Sequence, residues 1–193
     1  SNFLHWLNIV DWKYFITIMK DLAGVSNFWW ENEDRNNIIV LRENHNYDLS
    51  IYFKYKKTTK RRNKETGLVD KINVDCWTPV LILENKMKSI PYEEQLIKYS
   101  QSTFDEWIKF ANVEKKRLLA EAKKTGEKKK NIDILEIWKE KGITSILLSL
   151  ITPNKLELSY NVKYSKSSKI IADEKYIYCW CNKSYEQLSK IMG

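Results

Sequence analysis

The run Ile143 to Ile151, ITSILLSLI, constrains this chain more than any other segment. It carries no charge and is rich in Ile and Leu, and Pro153 stops it, so it reads as a strand buried on both faces. Such a strand needs a covering layer on each side of its sheet. Amphipathic helices that can supply those layers precede it. Phe3, Leu7, Val10, Tyr14, Ile18 and Leu22 recur at spacings of three and four, with Gly24 as a stop. Leu96, Tyr99, Thr103, Trp107 and Phe110 form a second stripe in a long helical pattern opened by Pro91. The fold class expected is α/β, a mixed central β-sheet flanked by helices, in a single domain over residues 1–193.

Further strands are expected at Ile38 to Leu41, at Tyr47 to Phe53, where Tyr47, Leu49, Ile51 and Phe53 alternate with polar residues, and at Pro79 to Leu83. Leu156 to Tyr160 and Tyr176 to Trp180 are also strand candidates. The first pair is joined by a turn at Asn44 to Asn46. A short helix over Ile132 to Lys141 stops at Gly142, and a last helix starts at Ser184, which forms a capping box with Gln187.

No apolar run approaches the ~20 residues of a bilayer span, so a soluble protein with no membrane partner is expected. Three cysteines make no closed disulfide framework and suggest a reducing, cytoplasmic setting. Lys and Arg total 33 against 25 acids, a net charge of +8, which favours a polyanionic partner such as nucleic acid. Seven of the eleven residues from Lys54 to Lys64 are basic, and this segment reads as an exposed hairpin tip or loop, part of a basic insertion at about 54–70. Lys56, Lys57, Lys60, Arg61 and Arg62 are its candidate phosphate contacts, and Lys115 to Lys130, a solvated helix extension or an arm, is a second basic segment.

The chemistry centres on Glu84 and Lys86. Their i, i+2 spacing at the end of a strand points both side chains to one face. Acid-x-Lys occurs six times, from Asp11, Glu84, Glu114, Glu121, Glu127 and Asp173, but only the Glu84 instance follows a buried apolar strand. Asp48 lies on the face of its strand opposite Leu49, Ile51 and Phe53, so it meets Glu84 if the two strands are neighbours. Two convergent carboxylates with carbonyl and water oxygens suit Mg²⁺ or Mn²⁺. A metal so placed beside a lysine points to phosphodiester hydrolysis.

The stretch Val80 to Tyr99, VLILENKMKSIPYEEQLIKY, resembles the PD-(D/E)XK nuclease superfamily. RecB-like members carry Gln-x-x-x-Tyr on the helix after the catalytic strand, as Gln95 and Tyr99 do here. The upstream Arg42-Glu43 and Tyr47-Asp48-Leu49 are similar to the family's acid-then-Asp pattern. The resemblance implies a restriction-endonuclease-like core and a Mg²⁺-dependent nuclease, with DNA favoured over RNA. It implies Asp48, Glu84 and the Asn85 carbonyl as metal ligands and Lys86 as the catalytic lysine. Glu43 would be a further acid and Gln95 would steady the site, while Tyr99 is grouped with the nucleic-acid contacts. The chain departs from the pattern in having no proline before Asp48.

Other readings stay beside this one. An inactive nuclease-like module could hold nucleic acid within a larger assembly, or the basic patches could meet an acidic protein. The oligomeric state is open, a homodimer included. His5 reads as structural and His45 as a turn residue, so neither supports a His nucleophile. Cys179-x-Cys181 with distant Cys76 lacks zinc spacing, and the scattered glycines exclude a phosphate-cradling loop. Trp29 and Trp30 are adjacent and point in different directions, so one of them could be exposed and stack on a base, but core or interface burial is the favoured reading.

Overall fold

A computed structural model of the chain describes residues 10–44, 47–62, 67–86, 93–126, 131–149, 169–173 and 176–192. The expectations for Phe3, Leu7, His5, His45 and Leu156 to Tyr160 fall outside them. The strands are β1 (Ile38–Asn44), β2 (Tyr47–Arg62), β3 (Val69–Lys86), β4 (Thr144–Ser149), β5 (Lys169–Asp173) and β6 (Tyr176–Ser184). The helices are α1 (Trp12–Ala23), α2 (Glu93–Lys124), α3 (Ile134–Lys141) and α4 (Tyr185–Met192).

These strands form one open mixed sheet in the order β1-β2-β3-β4-β6-β5. β1, β2 and β3 are antiparallel neighbours, β3, β4 and β6 run parallel, and β5 returns antiparallel to β6. A parallel neighbour requires a crossover, which α2 and α3 supply between β3 and β4. β4 is buried from Ser145 to Ser149, as its unbroken apolar run requires. β5 had no counterpart among the expected strands.

Local signals set the helix ends. Asp11 caps α1 by accepting from the Lys13 N–H at 2.8 Å, and Gly24 closes it at φ 66, a left-handed turn that glycine enters without strain. The buried stripe of α1 is Phe15, Ile18, Met19 and Leu22, which rotates Tyr14 out to 49% exposure, contrary to its expected place on the apolar face. This stripe packs on Leu49, Ile51, Leu83, Ile146 and Leu148 of the sheet. α4 opens with the expected capping box: the Ser184 N–H donates to Gln187 Oε1 at 2.9 Å and the Gln187 N–H to Ser184 Oγ at 3.2 Å.

α2 and α3 share a second cluster built on Trp107, Phe110, Ala111, Ile132 and Ile137. Two indoles bind the carbonyls at the end of α3: Trp107 Nε1 donates to Lys141 O at 2.8 Å and Trp29 Nε1 to Gly142 O at 3.2 Å. Trp30 is fully buried and Trp29 stacks on Phe110 at 5.6 Å, so core packing takes both rings and neither is exposed for a base.

The basic segment is not a loop over its described part. β2 continues through Arg62 and pairs residue by residue with Val69 to Trp77, a strand portion that the sequence reading did not find. Backbone pairing is indifferent to side-chain charge, and β-branched Thr58, Thr59, Ile72 and Val74 suit an extended chain. β1 pairs only as far as Phe53 and β4 only from Leu81, so these outer portions form a two-stranded ribbon beyond the sheet. Among the described residues no helix is long and apolar enough to cross a membrane.

Candidate active site

Register brings the acids together. Leu49 pairs with Leu83 across β2 and β3, which sets Asp48 opposite Glu84. The Asn85 N–H donates to Asp48 Oδ2 at 2.6 Å, so the carboxylate is fastened to the strand that carries Glu84. Lys86 Nζ meets Glu84 Oε1 at 2.6 Å, as the shared strand face of an i, i+2 pair requires.

Glu84 is only 2% exposed, and its Oε2 is buried with no hydrogen-bond partner among the described residues. A buried charge so poorly satisfied is costly. Burial pushes the Glu84 carboxyl above its ordinary range; the Lys86 hydrogen bond and charge pull it back, and the Asp48 charge adds to the rise. Burial disfavours the Lys86 ammonium, but the bond to Glu84 and the nearby acidic groups outweigh it, so its pKa lies above the ordinary lysine value. Lys86 is therefore a cation throughout the neutral range.

The site lies where the parallel strands end. Lys86 pairs with Ser149 and Ser149 with Ser184, so β3, β4 and β6 finish in line, at the carboxyl edge where open α/β sheets bind ligands. α4 leaves that edge, and the Tyr185 hydroxyl donates to Asn85 Oδ1. Asn85 is thus held through its backbone by Asp48 and through its side chain by Tyr185.

α2 supplies the other wall. Gln95 Nε2 donates to the Tyr99 hydroxyl at 2.6 Å, one helical turn on. Tyr99 lies close enough to Lys86 to interact with it electrostatically. The Tyr47 ring meets the Tyr99 ring edge-on at 5.2 Å, and its hydroxyl donates to the Tyr99 carbonyl at 3.0 Å. Burial pushes the Tyr47 phenol up to about 12, so it stays neutral.

Asp48, Glu84, Asn85, Lys86, Gln95 and Tyr99 therefore gather at one edge. Glu43 is exposed, at φ 50, on the hairpin strand beside Asp48. Among the described residues no three His, Cys, Asp or Glu side chains group as a metal site, so the acids here form a pair rather than a triad. Lys56, Lys57, Lys60, Arg61 and Arg62 lie toward the other end of β2, with Lys56 already about 26 Å of extended chain from Asp48. Cys76 and Cys181 are reduced thiols.

Tyr185 and Tyr47 were missed by the sequence reading. Tyr185 had one usable signal, its place directly after the Ser184 cap at a strand-to-helix junction, but nothing local ties it to Asn85, 100 residues away. Comparison with known proteins returned no matching family model, no matching curated protein and no matching solved structure.

Proposed function

We propose that this chain is a metal-dependent nuclease of the PD-(D/E)XK type, with a restriction-endonuclease-like core, that hydrolyses phosphodiester bonds of nucleic acid, DNA in preference to RNA. The observation that carries the reading is the buried, unpartnered Glu84 Oε2 set opposite Asp48 and beside Lys86. An orphaned carboxylate oxygen in a two-acid edge has the donor chemistry that Mg²⁺ or Mn²⁺ prefers. Asp48, Glu84 and the backbone carbonyl of Asn85 would hold the ion. When bound, it supplies positive charge against the phosphodiester and acidifies water.

The chain's own residues do the rest. Lys86, kept protonated by Glu84, acts as a charge that holds a phosphate oxygen rather than as a base. Asp48 is aimed by the Asn85 N–H, and Tyr185 keeps Asn85 in place through its side chain. Gln95 orients the Tyr99 hydroxyl beside Lys86, where the phenol can contact the substrate backbone.

Glu84→Gln and Lys86→Ala are expected to lower Mg²⁺-dependent cleavage of plasmid and linear DNA about a hundredfold or more, with thermal melting used to show that each variant folds. Cutting at the wild-type rate by either folded variant overturns the assignment. A second reading, an inactive nucleic-acid-binding module, is favoured by the closed Glu84–Lys86 pair and the lack of a three-ligand group among the described residues. Calorimetry decides between them: no heat of Mg²⁺ or Mn²⁺ binding, with nucleic-acid affinity intact, selects the inactive module.

A further inference from the structure

The ribbon formed by the outer parts of β2 and β3 has two unlike faces. Alternation puts Lys54, Lys56, Lys60 and Arg62 on one face together with Lys71 from β3, and the only acid there is Asp75. Two contacts verify the sorting: Lys54 Nζ sits 5.9 Å from the Trp77 ring centroid, and Thr58 Oγ1 donates to Asn73 Oδ1 at 2.9 Å. Lys57 and Arg61 fall on the other face, where Asp70 offsets Arg61 across the strands. The base of that second face is occupied, because Tyr55 packs edge-on against Phe110 of α2 at 5.4 Å.

The cationic face also contains a conflict. Lys60 lies directly opposite Lys71, and like charges facing each other across a ribbon are destabilising without an anion between them. Lys56, Lys60, Arg62 and Lys71 are all exposed. The arrangement calls for a polyanion that lies along the ribbon rather than for a point ligand.

We infer that this single face of the ribbon seats in the major groove of double-stranded DNA. A groove about 12 Å wide admits a two-stranded β-ribbon, with cations on both strands reaching the phosphates that line it. The deep, narrow major groove of A-form RNA does not admit one. A single strand would need a row of aromatic platforms, and this face offers Trp77 alone, at its base. The inference deepens the nuclease proposal by naming a duplex as what is held, and rests on it only in taking nucleic acid as the ligand.

The test is fluorescence anisotropy of the intact chain with a labelled 20-base-pair DNA duplex in EDTA, which prevents cleavage. Two double charge reversals of equal size are compared: Lys54→Glu with Lys60→Glu on the proposed face, and Lys57→Glu with Arg61→Glu on the other. The first pair is expected to weaken binding about tenfold or more and to lower the salt dependence by about two counterions, the second to weaken it less than about threefold. Thermal melting confirms that both fold. Equal losses from the two faces overturn the inference. So does wild-type binding that is absent, or as tight for single-stranded DNA or duplex RNA. Because no cleavage is read, failure here leaves the Glu84→Gln result standing, and loss of the nuclease reading leaves this measurement intact.

Discussion

Asp48 Oδ2 accepts the Asn85 N–H at 2.6 Å, so a carboxylate on one strand is aimed by the backbone of the next. The bond joins residues 37 positions apart and holds Asp48 against the strand segment that carries Glu84 and Lys86. A hydrogen bond to a charged acceptor contributes more than a neutral one, about 1.5 to 3 kcal/mol. Asp48→Ala is therefore expected to lower unfolding free energy by about 2 kcal/mol, and Asp48→Asn, which keeps an acceptor oxygen, by about half of that. Urea denaturation measures both, and an unchanged unfolding free energy for Asp48→Ala would show that the bond to Asn85 contributes nothing.

The pairing of Glu84 with Lys86 should make stability depend on pH in a defined direction. Burial holds the Glu84 carboxyl above its ordinary 4.5 in the folded state. A raised carboxyl gives its full contribution below the unfolded value and loses it as pH rises through the folded value. Above that range the folded chain carries a buried anion that needs the Lys86 ammonium. Lys86→Met is thus expected to cost about 3 kcal/mol at pH 8 and clearly less at pH 4, below the unfolded value, with Glu84→Gln restoring most of the loss. Thermal melts at the two pH values check this, and a loss of equal size at both would contradict it.

Glu114 behaves in the opposite sense. Its side chain, 12% exposed, accepts from Arg117 Nη2 and Lys141 Nζ, each at 2.9 Å, which joins α2 to α3. Burial disfavours its charge, but these cations outweigh that and hold the carboxyl below 4.5. The stability it confers is present above the unfolded value and is lost as pH falls through the folded one. Glu114→Gln should cost about 1 to 2 kcal/mol at pH 7, and the two melting curves should draw together as pH falls below 4.5. Curves that stay parallel on the acid side of 4.5 would argue against the ion pairs.

Gly142 is needed for room rather than for backbone freedom. Its φ is −71, open to any residue, yet a Cβ there would lie 2.4 Å from the Trp138 carbonyl oxygen. Backbone cannot move aside as a flexible side chain can, and the same turn is gripped by Trp29 and Trp107. Gly142→Ala is expected to destabilise by about 1 to 3 kcal/mol, read as a lower Tm. An unchanged Tm would mean that the turn has slack.

Much of the site was legible where its cause is local. Glu84 and Lys86 share a face because strand periodicity demands it, and Gln95 reaches Tyr99 because helical periodicity does. For the basic segment, seven cations in eleven residues imply exposure but leave hairpin and loop both open, and the structure makes its described part a hairpin arm. Whether such a segment is strand or loop depends on a partner, Val69 to Trp77, that only pairing reveals.

From the amino-acid sequence by itself follow the α/β class, the doubly buried β4, the Gly24 and Ser184–Gln187 helix ends and the Glu84–Lys86 pair, because each rests on interactions within a few residues. Tertiary structure decided that Asp48 faces Glu84, that Tyr185 reaches Asn85 and that β3, β4 and β6 end in line. Those relationships depend on strand register and chain crossovers, which are set by packing across the whole sheet and leave no mark on any short stretch of sequence.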